Sequence, residues 1–230
     1  MAISVDVVSD VVCPWCYIGK RRLEKAIAAL SGTHEVRVRW LPFQLNPQMP
    51  KEGMDRKAYR TSKFGSWERS LALDAQIKSV GESEGLVFAP EKALRTPNTL
   101  DAHRLIWLAE REGVQDAVVE ALFRAYFTEG QDIGHTPTLL DIVANAGLDR
   151  ARAEQLLNGD EGLAEIRVSE RQARAAGVQG VPFFIVGGSI TLSGAREPAA
   201  FLEAFTRSDS DAARVGEGNS CEVGKNGTAC

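Results

Sequence analysis

Cys13-Pro14-Trp15-Cys16 separates an apolar run over residues 3–12 from a helical pattern that begins at Tyr17. The run is rich in valine and isoleucine, which is typical of a buried strand. After the motif, apolar residues recur at helical spacing, and Pro14 falls at the first helical position, where proline is tolerated. The sequence therefore predicts that both cysteines lie at the N-terminus of a helix that follows the first strand.

The predicted position of the two cysteines favours disulfide chemistry. Unpaired backbone N–H groups and the helix dipole stabilise an anion at a helix N-terminus, so thiolate is favoured there over thiol. The thiolate is the species that attacks disulfides. We predict that Cys13, at the exposed mouth of the site, is the nucleophile. Cys16, one turn further along the helix, would then resolve the mixed disulfide formed at Cys13.

Two other interpretations of the cysteine pair stay open. A C-x-x-C motif can form half of a zinc site, and two cysteines can also be inert core residues. In a chain that looks soluble and intracellular, a C-x-x-C motif beside a strand–helix–strand pattern favours a redox pair over these two interpretations.

Length and composition are those of an ordinary soluble globular protein. The chain has 230 residues, of which 44% are hydrophobic and 25% charged, enough for one large domain or a domain with a substantial insertion. The net charge of -4 argues against nucleic-acid binding, and no apolar run is long enough for a transmembrane helix. Because the first residues lack the basic segment of a secretory signal, we expect a cytoplasmic protein, in which cysteines are more often reactive than structural.

The order of the patterns predicts an α/β protein with a helical insertion. A second strand over residues 36–41 completes a strand–helix–strand unit, so the cysteines lie at the carboxyl end of the first strand, where open α/β sheets place ligands. From Asp55 to about Gly162 helical periodicity dominates and no convincing alternating strand appears. A helix, a strand led by Pro182, a hairpin at Gly187-Gly188 and a terminal helix ending near Arg207 follow.

Three segments carry a family resemblance. They are Ser9-Asp10-Val11-Val12-Cys13-Pro14-Trp15-Cys16-Tyr17-Ile18-Gly19, Pro97-Asn98-Thr99-Leu100-Asp101-Ala102-His103-Arg104 and Gly177-Val178-Gln179-Gly180-Val181-Pro182-Phe183-Phe184. With these segments, the region 1–207 resembles the DsbA-like thioredoxin-fold family, and specifically its FrnE-like branch. That branch is similar to the 2-hydroxychromene-2-carboxylate isomerases and the kappa-class glutathione transferases.

The resemblance implies a thioredoxin-like fold (βαβ…αββα) interrupted by an all-helical insertion. Residues 1–45 and 163–207 would form the thioredoxin-like domain, and residues 46–162 the insertion. Residues 208–230 would form a flexible, cysteine-containing C-terminal tail.

The resemblance also implies a site around Pro182. Val181-Pro182 matches the family's cis-proline, whose loop faces the dithiol and pairs with extended substrate backbone. The isomerase and transferase relatives generally carry serine in place of Cys13 and use it to hold glutathione. Having both cysteines argues for disulfide chemistry, with thiol- or disulfide-containing proteins or glutathione as partners. We expect no other cofactor, no metal, no membrane partner and a monomer or homodimer.

Further candidate substrate-binding residues flank these segments. Trp15 and Val181 adjoin the catalytic residues, and Asn98 and His103 lie in a segment that approaches the active-site groove in relatives. His103 has the alternative role of a packing residue. Asp10 lies three residues before Cys13 and could accept the proton of Cys16, although a turn or capping role suits it equally.

Taken together, the sequence predicts a thiol:disulfide oxidoreductase or isomerase whose preferred direction is undetermined. One alternative is a glutathione-dependent isomerase or transferase, which would not need Cys16. The other is a zinc-binding redox switch or chaperone that would also use the tail cysteines, Cys221 and Cys230, although their spacing matches no tight zinc pattern.

The tail cysteines lie in a polar, glycine-rich segment without aromatic residues, which cannot form a core of its own. Cys221 and Cys230 could pair with each other, relay a disulfide to or from the Cys13–Cys16 pair, or take no part. We interpret them as an auxiliary redox pair.

We predict that Cys221 and Cys230 form a local disulfide under oxidising conditions, because the cost of closing a flexible loop rises only slowly with its length. Peptide mapping of the oxidised protein should recover this link as the main species of the tail. Free tail cysteines beside a fully oxidised Cys13–Cys16 pair would contradict the auxiliary role.

Overall fold

The computed structural model describes residues 2–30, 32 and 34–217. The tail cysteines, Cys221 and Cys230, lie outside these residues. Within them, the predicted α/β fold with a helical insertion is confirmed.

The described chain contains six strands and nine α-helices. The strands are β1 Ala2–Ser9, β2 Glu35–Pro42, β3 Met54–Asp55, β4 Arg95–Thr96, β5 Phe183–Val186 and β6 Ile190–Ser193. The helices are α1 Pro14–Ala29, α2 Arg56–Phe64, α3 Trp67–Ser83, α4 Leu100–Arg111, α5 Gln115–Arg124, α6 Thr136–Asn145, α7 Arg150–Asn158, α8 Leu163–Ala175 and α9 Pro198–Glu217. A π-helical turn, Ala125–Glu129, continues α5.

The main sheet has the strand order β2-β1-β5-β6, with β1 in its interior. β1 runs parallel to β2, pairing Val5 with Val38, and antiparallel to β5, pairing Val7 with Phe184. The side chains of Val5, Val7 and Phe184 are fully buried. Because β1 carries the dithiol segment at its carboxyl end, the buried strand fixes where that segment lies.

The helical insertion packs on the β2 edge of this sheet. The Gln115 side chain accepts a hydrogen bond from the Trp40 backbone N–H at 2.9 Å and donates one to the Trp40 carbonyl at 3.0 Å. Both residues are buried, so these bonds satisfy backbone groups that water cannot reach. The insertion and the sheet therefore share one hydrophobic core.

The structure corrects two details of the predicted organisation. The insertion is not entirely helical, because β3 and β4 form a short antiparallel ladder that pairs Met54 with Thr96. Two-residue strands are too short to produce an alternating sequence pattern. The terminal helix does not end near Arg207, so the predicted boundary at that residue falls within α9. Residues 208–217 contain no proline, and Ser210 Oγ bonds the Thr206 carbonyl at 3.0 Å inside the helix.

No helix in the described ranges combines the length and the apolar character needed to cross a membrane.

Candidate active site

The dithiol lies at the start of α1, as the sequence predicts. Cys13 is the N-cap residue, and Pro14 occupies the first turn. The Cys13 backbone N–H bonds the Asp10 carbonyl at 3.0 Å, and the Cys16 N–H bonds the Cys13 carbonyl at 3.0 Å. These bonds form a tight turn from β1 into the helix. Both cysteines are free thiols, and the Cys13 side chain is not used to cap the helix.

The two thiols differ in their environments. Cys16 is fully buried, at 0% exposure. Burial raises the pKa of the Cys16 thiol well above its ordinary value, the neighbouring Cys13 raises it further, and hydrogen bonds from Ser9 and the Asp10 backbone partly oppose the change. Cys16 therefore stays protonated at neutral pH until it is given a reaction partner and a proton acceptor.

Cys13 is more buried than the sequence predicts. We expected it at an exposed mouth of the site, but it is only 5% exposed. It lies at the base of a groove of about 330 Å³ that is lined from one side by Trp15 and Val181 and from the other by Tyr126. We call this space the dithiol groove. Residues of the helical insertion line this groove together with Cys13, Pro14 and Trp15 at the N-terminus of α1.

Pro182 lies beside the dithiol. The Val181–Pro182 peptide bond is cis, and the Cys13 thiol donates a hydrogen bond to the Val181 carbonyl at 3.5 Å. Gly19 makes this approach of α1 possible, because a Cβ at that residue would lie 3.0 Å from Phe184 Cζ and 3.2 Å from Pro182 Cγ. The sequence signal for this close contact was a glycine inside a helix.

Asp10 and His103 come together beneath the dithiol rather than in the groove. They are 0% and 3% exposed and do not line the dithiol groove, so their predicted substrate-binding role stays a prediction. Asp10 Oδ1 lies 3.3 Å from His103 Nε2, without the alignment of a hydrogen bond. Asp10 Oδ2 accepts a bond from the Leu45 N–H at 2.8 Å. The carboxyl and imidazole groups of this pair are buried next to the turn that carries Cys13.

Asn98 also differs from its predicted role. Its side chain donates to the Met49 carbonyl at 2.7 Å and accepts from the Leu100 N–H at 2.9 Å. It ties the loop before α4 to the preceding segment and does not line the dithiol groove. Trp15 and Val181, by contrast, both line it.

Sequence reasoning missed the groove residues that the insertion supplies. Tyr126 enters from the π-helical turn, and burial raises the pKa of its hydroxyl to about 12, so it stays protonated at neutral pH. Lys63 Nζ donates hydrogen bonds to the Tyr59 hydroxyl at 2.8 Å and to Asn46 Oδ1 at 3.4 Å. Arg60 pairs at 2.6 Å with Asp74, a carboxylate that it shares with Arg56. Lys63 is thus the cation of this groove that has no carboxylate partner among the described residues.

A zinc site would need further ligands beside Cys13 and Cys16. Within residues 2–30, 32 and 34–217, no three cysteine, histidine or acidic side chains converge in a way that could hold a metal. Zinc bound at the dithiol would have to take its other ligands from beyond those residues, where Cys221 and Cys230 lie.

The difference in burial predicts a difference in alkylation rate. In a Cys13→Ser variant, Cys16 should react with iodoacetamide at least about tenfold more slowly than Cys13 does in a Cys16→Ser variant, because each unit of raised pKa removes tenfold of the thiolate. The Cys16 rate should increase with pH across the neutral range. Peptide mass spectrometry reports each cysteine separately, and a denatured sample provides the reference rates. Equal native rates for the two thiols would contradict the assigned asymmetry.

Comparison with known proteins places this geometry in a family. The DSBA-like thioredoxin domain matches residues 4–206. The uncharacterized protein YwbO of Bacillus subtilis (strain 168) is 28% identical over 207 residues, which cover 90% of this chain and 97% of YwbO.

Solved structures agree with that match. A probable DsbA oxidoreductase, SCO1869 from Streptomyces coelicolor, gives a TM-score of 0.82 at 30% identity, covering 99% of each chain. The cytosolic disulfide reductase DsbM from Pseudomonas aeruginosa, solved with GSH, shares the fold, with a TM-score of 0.58 at 19% identity over 93% of this chain and 99% of DsbM. The dithiol at the start of α1, the adjacent proline loop and the match over nearly the whole described chain show that the protein belongs to the DSBA-like thioredoxin domain family.

Proposed function

We propose that the protein is a thiol:disulfide oxidoreductase that works through Cys13 and Cys16. The observation that carries this proposal is the asymmetric dithiol: one thiol opens onto a groove beside Pro182, and the other is fully buried one turn along the helix. Members of the DsbA-like family act on thiols and disulfides, which agrees with this arrangement.

The reaction begins with the Cys13 thiolate. It attacks one sulfur of a substrate disulfide, forms a mixed disulfide and displaces the other substrate sulfur as a thiolate, which takes up a proton. Cys16 then loses its proton and attacks the Cys13 sulfur, which releases the second substrate sulfur. The substrate gains two electrons and two protons, and the protein is left with a Cys13–Cys16 disulfide. The reverse sequence oxidises a substrate dithiol.

Resolution of the mixed disulfide requires a base for the buried Cys16 proton. Asp10 is close at hand, since its backbone N–H bonds Cys16 and its carboxylate faces His103 at 3.3 Å. We assign Asp10, with His103 as its partner, as the group that takes this proton. This gives the two buried polar residues a role that does not depend on touching substrate.

Substrate approach is proposed to follow the Val181–Pro182 loop. Val181 lines the dithiol groove, and its carbonyl already contacts the Cys13 thiol at 3.5 Å. The resemblance implies that extended substrate backbone pairs with this loop, which would hold the mixed disulfide within reach of Cys16. Trp15 forms part of the same groove wall.

Glutathione is a second candidate partner at this site. Lys63 lines the groove and has no carboxylate within ion-pair distance among the described residues, so it can pair with a carboxylate of a small thiol. DsbM is described as cytosolic and was solved with GSH. We accordingly propose the cytoplasm as the location and glutathione as a possible source of electrons.

A trapping experiment tests the function. The Cys16→Ser variant should accumulate a mixed disulfide at Cys13 with a peptide disulfide substrate, and its turnover should fall by about 100-fold or more, because no resolving thiol remains. Mass spectrometry would identify the adduct. The Cys13→Ser variant is the matched control, and it should form no adduct at Cys16.

Two outcomes count against this proposal. Full turnover in the Cys16→Ser variant would favour the glutathione-dependent isomerase or transferase. Equal adduct formation on Cys16 in the Cys13→Ser variant would show that Cys13 is not the nucleophile.

A further inference from the structure

We infer that the proton released by Cys16 leaves the protein through a cavity between α4 and α8, on a path separate from the dithiol groove. This inference rests on the proposed function and concerns its second step, in which Cys16 attacks the mixed disulfide. The path runs from Asp10 through His103 to the cavity. His103 then carries the proton itself, rather than only holding Asp10 in place.

The unsatisfied atoms of Asp10 and His103 are the first observation. Asp10 Oδ1 and His103 Nε2 are buried and 3.3 Å apart, and neither atom has a hydrogen-bond partner among the described residues. Leaving a buried polar atom without a partner is costly, so an atom of this kind needs an explanation, and a catalytic role is one. A small rotation of either group would turn this contact into a hydrogen bond along which a proton can pass.

The cavity beside His103 is the second observation. It has a volume of about 50 Å³ and is lined by His103 from α4 and Ser169 from α8. We call it the α4–α8 cavity. A water molecule needs only about 10–15 Å³ of such a space, together with two to four polar partners. Glu110 and Glu165 add polar groups to an otherwise mostly apolar lining, so the cavity is suited to hold water along its polar side.

The α4–α8 cavity connects His103 to solvent. His103 is only 3% exposed, whereas Glu110 and Glu165 are exposed, so the cavity reaches the surface at these two carboxylates. Exposed carboxylates exchange protons with bulk water. No described residue lines both this cavity and the dithiol groove. A proton on His103 therefore has an outlet that does not pass the substrate.

A separate outlet matters because the substrate occupies the dithiol groove when Cys16 must lose its proton. In the mixed disulfide, the substrate is bonded to Cys13 at the base of that groove. Cys16 is fully buried, and its sulfur is bonded by the Asp10 backbone N–H. Tyr126, which lines the groove near Asp10, keeps its own proton at neutral pH and does not accept another. The proton therefore moves away from the groove.

Each proton and electron pair in this step has a defined destination. The Cys16 proton passes to the Asp10 carboxylate and then to His103 Nε2. The imidazolium releases a proton from its other nitrogen to water in the cavity. The Cys16 sulfur bonds the Cys13 sulfur, and the bond to the substrate breaks with its electron pair left on the substrate sulfur. Oxidation of a substrate dithiol uses the same path in reverse.

Chemical rescue of a His103→Ala variant tests this path. With a peptide disulfide, acid quenching and mass spectrometry separate the Cys13 adduct from the Cys13–Cys16 disulfide, so each step has its own rate. The variant should slow the second step by about 100-fold, because a positioned acid–base group typically contributes at least that factor. The first step should stay unchanged. Added imidazole should restore much of the second-step rate, since the substitution enlarges the cavity that it enters.

A plug in the α4–α8 cavity distinguishes this path from the dithiol groove. Ser169→Leu fills the cavity, and Ala164→Leu is the matched control, because Ala164 is exposed on the same helix and lies outside the cavity. Alone, Ser169→Leu should slow the second step by at least about fivefold without changing the first. Combined with His103→Ala, it should abolish the rescue by imidazole. Ala164→Leu should have neither effect.

Each contrary result has a defined meaning. A second step that is unaffected by Ser169→Leu overturns the inference and leaves the proposed function intact, and this result decides the matter if His103→Ala fails to fold. A slow His103→Ala variant that imidazole does not restore gives His103 a structural role and also overturns the inference. Rescue that survives the plug does the same, because imidazole then enters from the dithiol groove. A parent protein that forms neither the adduct nor the disulfide overturns the proposed function as well.

Discussion

The close packing of α1 against the start of β5 is the contact on which the site depends. Gly19 lets the helix approach Phe184 and Pro182 so closely that a Cβ at this residue would force those side chains to shift. Because Cys13 begins the same helix, this contact sets its thiol against the Val181 carbonyl. It also buries Cys16 completely, which raises the pKa of that thiol and keeps it unreactive between turnovers. This backbone approach thus helps to position both sulfurs beside the Pro182 loop.

The insertion adds the other wall of the site and is firmly attached to the domain that carries the dithiol. The Gln115 side chain forms hydrogen bonds with the backbone N–H and carbonyl of Trp40. Lys20 on α1 also forms an ion pair with Asp116 on α5 at 3.0 Å. Lys20 is nearly fully buried, so removing its partners would leave an uncompensated charge. With the insertion held in this way, Tyr126 and Lys63 face the dithiol from a fixed direction. Differences in substrate preference can then arise from the insertion while the redox centre stays the same.

The sequence predicted the features that depend on local patterns. The strand, the cysteine motif and a proline at the helix start identified the dithiol and its position. Asp10 and Cys13 show the limit of this reasoning. How far each is buried depends on the insertion, which closes over the site from a distant part of the chain.

Tertiary contacts also explain the remaining differences. The π-helical turn that directs Tyr126 toward Cys13 has no distinctive spacing in sequence, since π turns occur inside otherwise regular helical patterns. His103 was predicted from a motif, but its partner is Asp10, on a segment that only the fold brings near. Asn98 lies in the same motif and stabilises a loop. A shared motif therefore identified the neighbourhood of the site without distinguishing substrate contacts from supporting ones.

The central claim is that Cys13 and Cys16 act as one two-electron couple. The most direct measurement is to equilibrate the protein in glutathione buffers of graded redox ratio, quench with acid and quantify the cysteine peptides by mass spectrometry. The account predicts a single transition from the dithiol to a Cys13–Cys16 disulfide, with only traces of glutathione on Cys13. A stable glutathione adduct on Cys13 beside a free Cys16 thiol, across the whole transition, would contradict it.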